Sequence, residues 1–151
     1  MKVIVFGCQG IAIDCIRYLR KQKDVTIPLV VTFNHPLDKV YGYDSVFDFC
    51  RKWKIPVIAP NKITAQIIQR IRKAAPDLLF SFYYRQIFPK ELLTTPKRGA
   101  INIHPSLLPE YRGPVPTAWA IELGEKRFGI TIHWMEDGID TGDILLQKSY
   151  S

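Results

Sequence analysis

An amide and an imidazole stand at the end of one apolar run, and an acidic loop lies downstream of them. Residues 100–103, Ala-Ile-Asn-Ile, read as a strand with Asn102 inside it and His104 at its end. Side chains alternate along a strand, so positions 102 and 104 present their polar groups to the same side. Pro105 stops the strand, and a stretch dense in Pro and Gly runs on to Thr117. An imidazole exchanges a proton near neutral pH. An amide N–H can stabilise a developing oxyanion, a contribution of roughly 3–4 kcal/mol to a barrier. The carboxylate needed to orient the imidazole or relay its proton comes from the loop 136–143, as Asp137, Asp140 or Asp143. No Ser, Cys or Lys is paired with His104 as a nucleophile; Ser106 follows Pro105 and lacks a G-x-S-x-G elbow. The set suits attack by a substrate's own nucleophile on a carbonyl, which is direct acyl transfer without a covalent enzyme intermediate. Taken singly, each residue has a plainer role: a His ending a strand is usually a hydrogen-bonded core residue, and a loop Asp usually caps a turn.

The elements that must position this set alternate along the chain. Residues 2–6 form a β-branched strand closed by Gly7, and Gly7-Cys8-Gln9-Gly10 leads into a helix over 11–23. That helix carries apolar residues at 11, 12, 15, 16 and 19, with Arg17, Arg20 and Lys21 on the opposite face. The turn residues Gly7, Gln9 and Gly10 would bring backbone N–H groups and a helix N-terminus to an anionic substrate group, although the pattern is not G-x-G-x-x-G. A second strand, 25–33, ends in Thr32-Phe33-Asn34-His35-Pro36 with no carboxylate before Asp38, which argues against a dinucleotide cofactor. Next come a helix over 42–54 with Val46, Phe47, Phe49, Cys50 and Trp53 inward, a strand at 55–58 and a helix at 62–75. A strand at 78–82, a short helix at 89–93 and the site strand follow, then a helix at 117–123, a strand at 128–135 with Thr131 and His133 on one side, and a last strand from 144. This rhythm predicts an α/β fold: a doubly wound, Rossmann-like, mostly parallel sheet with helices on both faces, in a single domain over 1–151. Ligands in such sheets bind outside the carboxyl ends of the strands. Tyr83–Gln86 and Asn102–His104 both fall there.

Composition narrows the class. The chain has 151 residues, 47% apolar and 23% charged, as in globular proteins, and no apolar run reaches the length of a membrane span. Cys8, Cys15 and Cys50 are an odd set without metal-pair spacing, so free thiols in a reducing cytoplasm are expected. His35, His104 and His133 lack ligand spacing, and no metal is expected. The net charge of +7 suits a nucleic acid or an anionic small substrate, but much of it sits at 17–23, 51–54 and 70–73, where a solvated face accounts for it.

Several spaced motifs in fixed order give a more specific indication. Asn102-Ile103-His104-Pro105-Ser106-Leu107-Leu108-Pro109, Tyr111-Arg112-Gly113, Gly129-Ile130-Thr131-Ile132-His133 and Asp140-Thr141-Gly142-Asp143-Ile144 resemble the folate-dependent formyltransferases. The resemblance runs from Val3 to Gln147 and implies the formyltransferase fold, a role in one-carbon metabolism, 10-formyltetrahydrofolate as co-substrate and a primary amine as acceptor. It implies that Asn102, His104 and Asp140 are catalytic. It places Tyr83, Tyr84, Arg85, Gln86, Ile87, Asp137, Gly138 and Ile139 toward the folate. Ser106, Arg112 and Gly113, with Gly7, Gln9 and Gly10, are placed toward the acceptor. Ser81-Phe82-Tyr83-Tyr84-Arg85, Val40-Tyr41-Gly42 and Ile55-Pro56-Val57-Ile58-Ala59-Pro60 look like the sugar-nucleotide N-formyltransferases, notably the domain that acts on UDP-4-amino-4-deoxy-L-arabinose. A nucleotide-linked amino sugar is therefore the expected acceptor. The methionyl-tRNA and glycinamide ribonucleotide enzymes are the alternatives, as is a folate- or nucleotide-binding domain without turnover. His104-Pro105 departs from the His-Gly of the arabinose and tRNA enzymes. Such catalytic domains usually continue past the last motif, so a domain incomplete at its C-terminus is expected. Homo-oligomerisation is left open, and no membrane partner is expected.

Overall fold

The computed structural model describes residues 1–33 and 45–150. His35, Asp38, Val40-Tyr41-Gly42 and the start of the helix expected from residue 42 lie outside them.

The strands are β1 (Lys2–Gly7), β2 (Thr26–Val31), β3 (Val57–Ile58), β4 (Leu78–Phe82), β5 (Ala100–His104), β6 (Phe128–Trp134) and β7 (Ile144–Tyr150). They form one sheet in the order β3-β2-β1-β4-β5-β6-β7. The first five in chain order are parallel, whereas β6 and β7 are antiparallel additions at one edge. The described helices are α1 (Gln9–Arg20), α2 (Val46–Lys52), α3 (Ala65–Ala74), α4 (Lys90–Leu93) and α5 (Pro116–Glu122).

Strand β1 shows why the parallel part of the sheet is covered on both faces. Val3 to Phe6 are fully buried, which a strand sandwiched between helices requires. Ile4 and Phe6 pack with Ile68 and Ile71 of α3 and Leu92 of α4. Val5 faces the other way, onto Ala12, Ile13 and Ile16 of α1 and Val46 and Phe49 of α2. Each such side chain stabilises the fold by roughly 1.5–3 kcal/mol. At the β1–α1 turn the backbones come close: a Cβ on Gly7 would stand 2.5 Å from that of Ala12. The expected doubly wound α/β architecture is the one observed.

Local differences have local causes. Helix α1 starts two residues early, at Gln9, which enters it with φ +63°. The strand expected at 55–58 shortens because the Ile55 amide donates to the Cys50 carbonyl at 2.8 Å and closes α2, while Pro56 has no N–H to offer. Trp53, expected inward, follows α2 as its cap and is 52% exposed. Burial pushes the Cys15 thiol, helped by Asp14, and the Cys50 thiol up to about 11. No described helix is long and apolar enough to cross a membrane.

Candidate active site

The antiparallel register of β5 and β6 builds the site. Asn102 lies opposite His133, and His104 opposite Thr131, so all four side chains share one face at the carboxyl end of β5. His104 and His133 are 4% and 1% exposed.

The acidic loop reaches this face because of a glycine. Gly142 packs so closely on the Trp134 carbonyl that a Cβ would collide with it, and the Trp134 amide donates to the Asp143 carbonyl at 2.9 Å. The loop is thereby held to the end of β6, and Asp140, at φ +51°, turns inward. Of the three carboxylates in the loop, the structure brings Asp140 to the imidazole; Asp137 and Asp143 are exposed. Asp140 Oδ2 is 3.4 Å from His104 Nδ1 and accepts the Gly113 N–H at 2.9 Å. Its Oδ1 is 3.5 Å from His133 Nε2 and accepts from Asn102 Nδ2 at 3.4 Å.

Partner chemistry fixes the ring orientations. His104 Nε2 lies 2.8 Å from the Tyr111 carbonyl, which only accepts, so this nitrogen donates. His133 Nδ1 donates likewise to the Trp134 carbonyl at 2.7 Å; its Nε2, 3.3 Å from Asn102 Nδ2 and 3.5 Å from Asp140 Oδ1, accepts from the amide when the ring is neutral and donates to the carboxylate when it is protonated. Burial by itself would raise the Asp140 pKa. The hydrogen bonds from His133 and Gly113, with the neighbouring imidazoles, outweigh it and hold the carboxyl below its usual 3.8. Near neutral pH the site thus presents an ionised carboxylate beside a nearly buried imidazole and an amide whose two N–H bonds are long. Such a set can pass a proton between Asp140 and His104 and turn an N–H toward an oxyanion.

The Pro-rich stretch after β5 is tied down by a buried hydroxyl. Thr131 Oγ1 donates to the Ser106 carbonyl at 2.7 Å and accepts from the Leu108 amide at 3.1 Å. Gln147 Nε2 donates to the Leu108 carbonyl at 2.6 Å, and Ser106 Oγ donates to the Glu110 carbonyl at 2.6 Å. Ser106 is therefore occupied with its own loop, and Gly113 with Asp140. Beside this loop a cavity of about 290 Å³ opens between Leu108–Pro109, the exposed Arg112 and residues 140–144.

The remaining expected contacts lie at the ends of β4 and β1. Tyr83 is half-buried, and that burial raises its phenol pKa; its backbone sits at φ +59°. Tyr84 is buried and stacks on Phe33 at 4.8 Å, and its hydroxyl has no hydrogen-bond partner among the described residues. Arg85 and Ile87 are exposed. Gln86 accepts from the Ile63 amide at 3.2 Å and donates to the Asn61 carbonyl at 2.9 Å, which pins the approach to α3. Asp137, Gly138 and Ile139 are exposed on the acidic loop, Gly138 against the Thr141 side chain. Gln9 and Gly10 are half-buried at the α1 N-terminus, and Gly7 is buried beneath them. Among the described residues no group of three His, Cys, Asp or Glu is placed to hold a metal ion.

His133 is the member of the cluster that sequence reasoning passed over, apart from placing it on one side of β6 with Thr131. Its signal was the pairing of β5 with β6, which puts a second imidazole against Asn102.

The formyl transferase family model matches residues 1–151. The chain belongs to the formyl transferase family. It is 40% identical over 151 residues to the bifunctional polymyxin resistance protein ArnA of Wigglesworthia glossinidia brevipalpis, covering 99% of this chain and 23% of that protein. It is 35% identical over 150 residues to the methionyl-tRNA formyltransferase of Clostridioides difficile, covering 97% of this chain and 48% of that one. The chain thus spans half or less of these relatives. Among solved structures, phosphoribosylglycinamide formyltransferase from Bacillus halodurans superposes with a TM-score of 0.83 at 24% identity, over 100% of this chain and 80% of that one. At that identity the likeness shows the fold. A sugar N-formyltransferase from a Shewanella species gives 0.73 at 27% identity, over 100% and 57%.

Proposed function

We propose that the protein transfers a formyl group from 10-formyltetrahydrofolate to a primary amine carried on a nucleotide-linked sugar. The observation that carries formyl transfer is the convergence of Asn102, His104 and Asp140, with His104 Nδ1 3.4 Å from the Asp140 carboxylate while the neighbouring Ser106 and Thr131 hydroxyls donate to backbone carbonyls.

In this reading the amine nitrogen attacks the formyl carbon and the new C–N bond forms. The carbonyl electron pair moves to oxygen, and Asn102 and His104 stabilise the resulting tetrahedral oxyanion. Collapse breaks the bond to the folate N10. The proton lost by the amine passes by way of Asp140 and His104 to N10, so the products are the formamide and tetrahydrofolate. Asp140 is suited to this relay because it is ionised at neutral pH and held on one oxygen by the Gly113 N–H.

The acceptor reading rests on Tyr83-Tyr84-Arg85 after β4, on the exposed Arg112 beside the cavity, and on likeness to a sugar N-formyltransferase at 27% identity. A second reading, methionyl-tRNA as acceptor, is favoured by the 35% identity to that enzyme and the net charge of +7. The test is formylation by the chain with 10-formyltetrahydrofolate and either UDP- and dTDP-linked amino sugars or methionyl-tRNA. Formylated sugar with no effect of moderate salt supports the first reading. Product on the tRNA alone, lost steeply as salt rises, replaces it with the second. Binding of the folate with no transfer to any amine overturns both.

A further inference from the structure

The end of the sheet away from the site carries a second built pocket. Helix α1 leaves the carboxyl end of β1 and returns to the amino ends of the strands, so Arg17, Arg20 and Lys21 lie opposite Asn102 and His104. There they meet Phe49 of α2 and Trp53, its C-terminal cap, around a cavity of about 340 Å³. Among the described residues no carboxylate lines it. The Arg17 guanidinium sits 5.1 Å from the Phe49 ring centroid and Arg20's 5.5 Å from that of Trp53. Only Arg17 has an ion-pair partner among the described residues, Asp14 at 3.0 Å, on the exposed side of the helix. Trp53 is 52% exposed although a helical register would have turned it inward.

Three cations around two rings form an unusual surface for a helix pair whose only task is to cover a sheet. An aromatic face half open to solvent offers a stacking platform, and a guanidinium laid on a ring presents its N–H edge to phosphate oxygens; Arg17 shares that edge with Asp14. The cavity has the size of the smallest ligand pockets, about 300 Å³. We propose that this pocket binds a nucleoside phosphate, its base on Trp53 and its phosphate between Arg17, Arg20 and Lys21. The site is separate from the formyl-transfer site and does not depend on that reading. A free nucleotide and a nucleotide within a single-stranded RNA share this chemistry, and the test separates them.

The chain is titrated calorimetrically with uridine 5′-monophosphate and, by anisotropy, with a labelled single-stranded pentauridylate. Binding of the mononucleotide assigns the pocket to free nucleotides; binding of the pentanucleotide alone assigns it to a strand. In either case Arg20→Gln should weaken binding at least tenfold and Trp53→Leu at least threefold. Arg72→Gln, which removes one charge on the far face of the sheet, should leave binding unchanged. Absence of binding to both ligands overturns the proposal. Equal loss in Arg20→Gln and Arg72→Gln would mean diffuse charge attraction and would also overturn it. So would displacement by inorganic phosphate as effective as by the nucleotide, because the base would then have no part. Each variant is exposed, and its thermal melt shows whether a loss of binding is a loss of fold.

Discussion

The two ends of the sheet solve the same problem, holding charge on a protein, in opposite ways. At the carboxyl ends of β5 and β6 the polar groups are buried and answered by named partners: His104 by Tyr111 and Asp140, His133 by Trp134 and Asn102, Thr131 by Ser106 and Leu108. At the amino end Arg17 and Arg20 stay in water with rings beneath them, and of the two only Arg17 also meets a carboxylate, the exposed Asp14. A buried polar group that loses its partner costs about 1–3 kcal/mol, whereas an exposed ion pair contributes at most about 1 kcal/mol. The carboxyl end is therefore over-determined and brittle, and the amino end is loose and tolerant. Substitutions at the two ends should separate accordingly.

The largest effect should come from Asp140→Ala. It removes the carboxylate facing both imidazoles and accepting the Gly113 N–H. Loss of a positioned acid–base group costs about 10²–10⁴ in rate, and kcat/KM for formyl transfer should fall by at least 10³ with the folate still bound. His104→Ala should follow at about 10²–10³, read the same way. Turnover retained within threefold in either variant would remove the trio from the mechanism.

Next is Gly142→Ala. Its methyl group would meet the Trp134 carbonyl, so the acidic loop must lift from β6. A clash of this kind costs roughly 1–3 kcal/mol. Urea unfolding should show that loss, and the same variant should lower kcat because Asp140 moves. The matching substitution at the other end, Arg20→Gln, should change stability by no more than about 0.5 kcal/mol. If the two cost the same, the contrast between the ends is wrong.

The sequence made parts of this contrast legible and hid others, for physical reasons. Periodicity revealed β1, α1 and α3 because their apolar residues recur at the spacing their burial demands. Asn102 and His104 were readable as neighbours because strand alternation is a local rule. Asp140 was one of three carboxylates until the fold chose it: the close approach of Gly142 to β6 is a tertiary contact, and no window of the chain displays it. His133 was hidden for the same reason, since its relation to Asn102 exists only across an antiparallel pair. Trp53 ran the other way. An aromatic at a helical position reads as core, yet α2 stops at Lys52 and the cap turns the ring outward.

Acid titration gives the subtlest test of the buried end. The Asp140 carboxyl is held below 3.8 in the folded chain by hydrogen bonds and imidazoles that outweigh its burial. A carboxyl whose pKa is depressed by folding contributes stability that is fully present above its unfolded pKa and is lost as pH falls through the folded one. The urea midpoint should accordingly decline as pH drops from about 5 toward 3, and Asp140→Asn should flatten part of that decline because an amide does not titrate. The exposed Asp14, paired with Arg17 on the surface of α1, is the control. Water screens that pair, so Asp14→Asn should leave the acid limb within about 0.3 kcal/mol of the parent. An equal flattening by both variants would mean that the acid limb reports the net charge of the whole chain and not the partners arranged around Asp140.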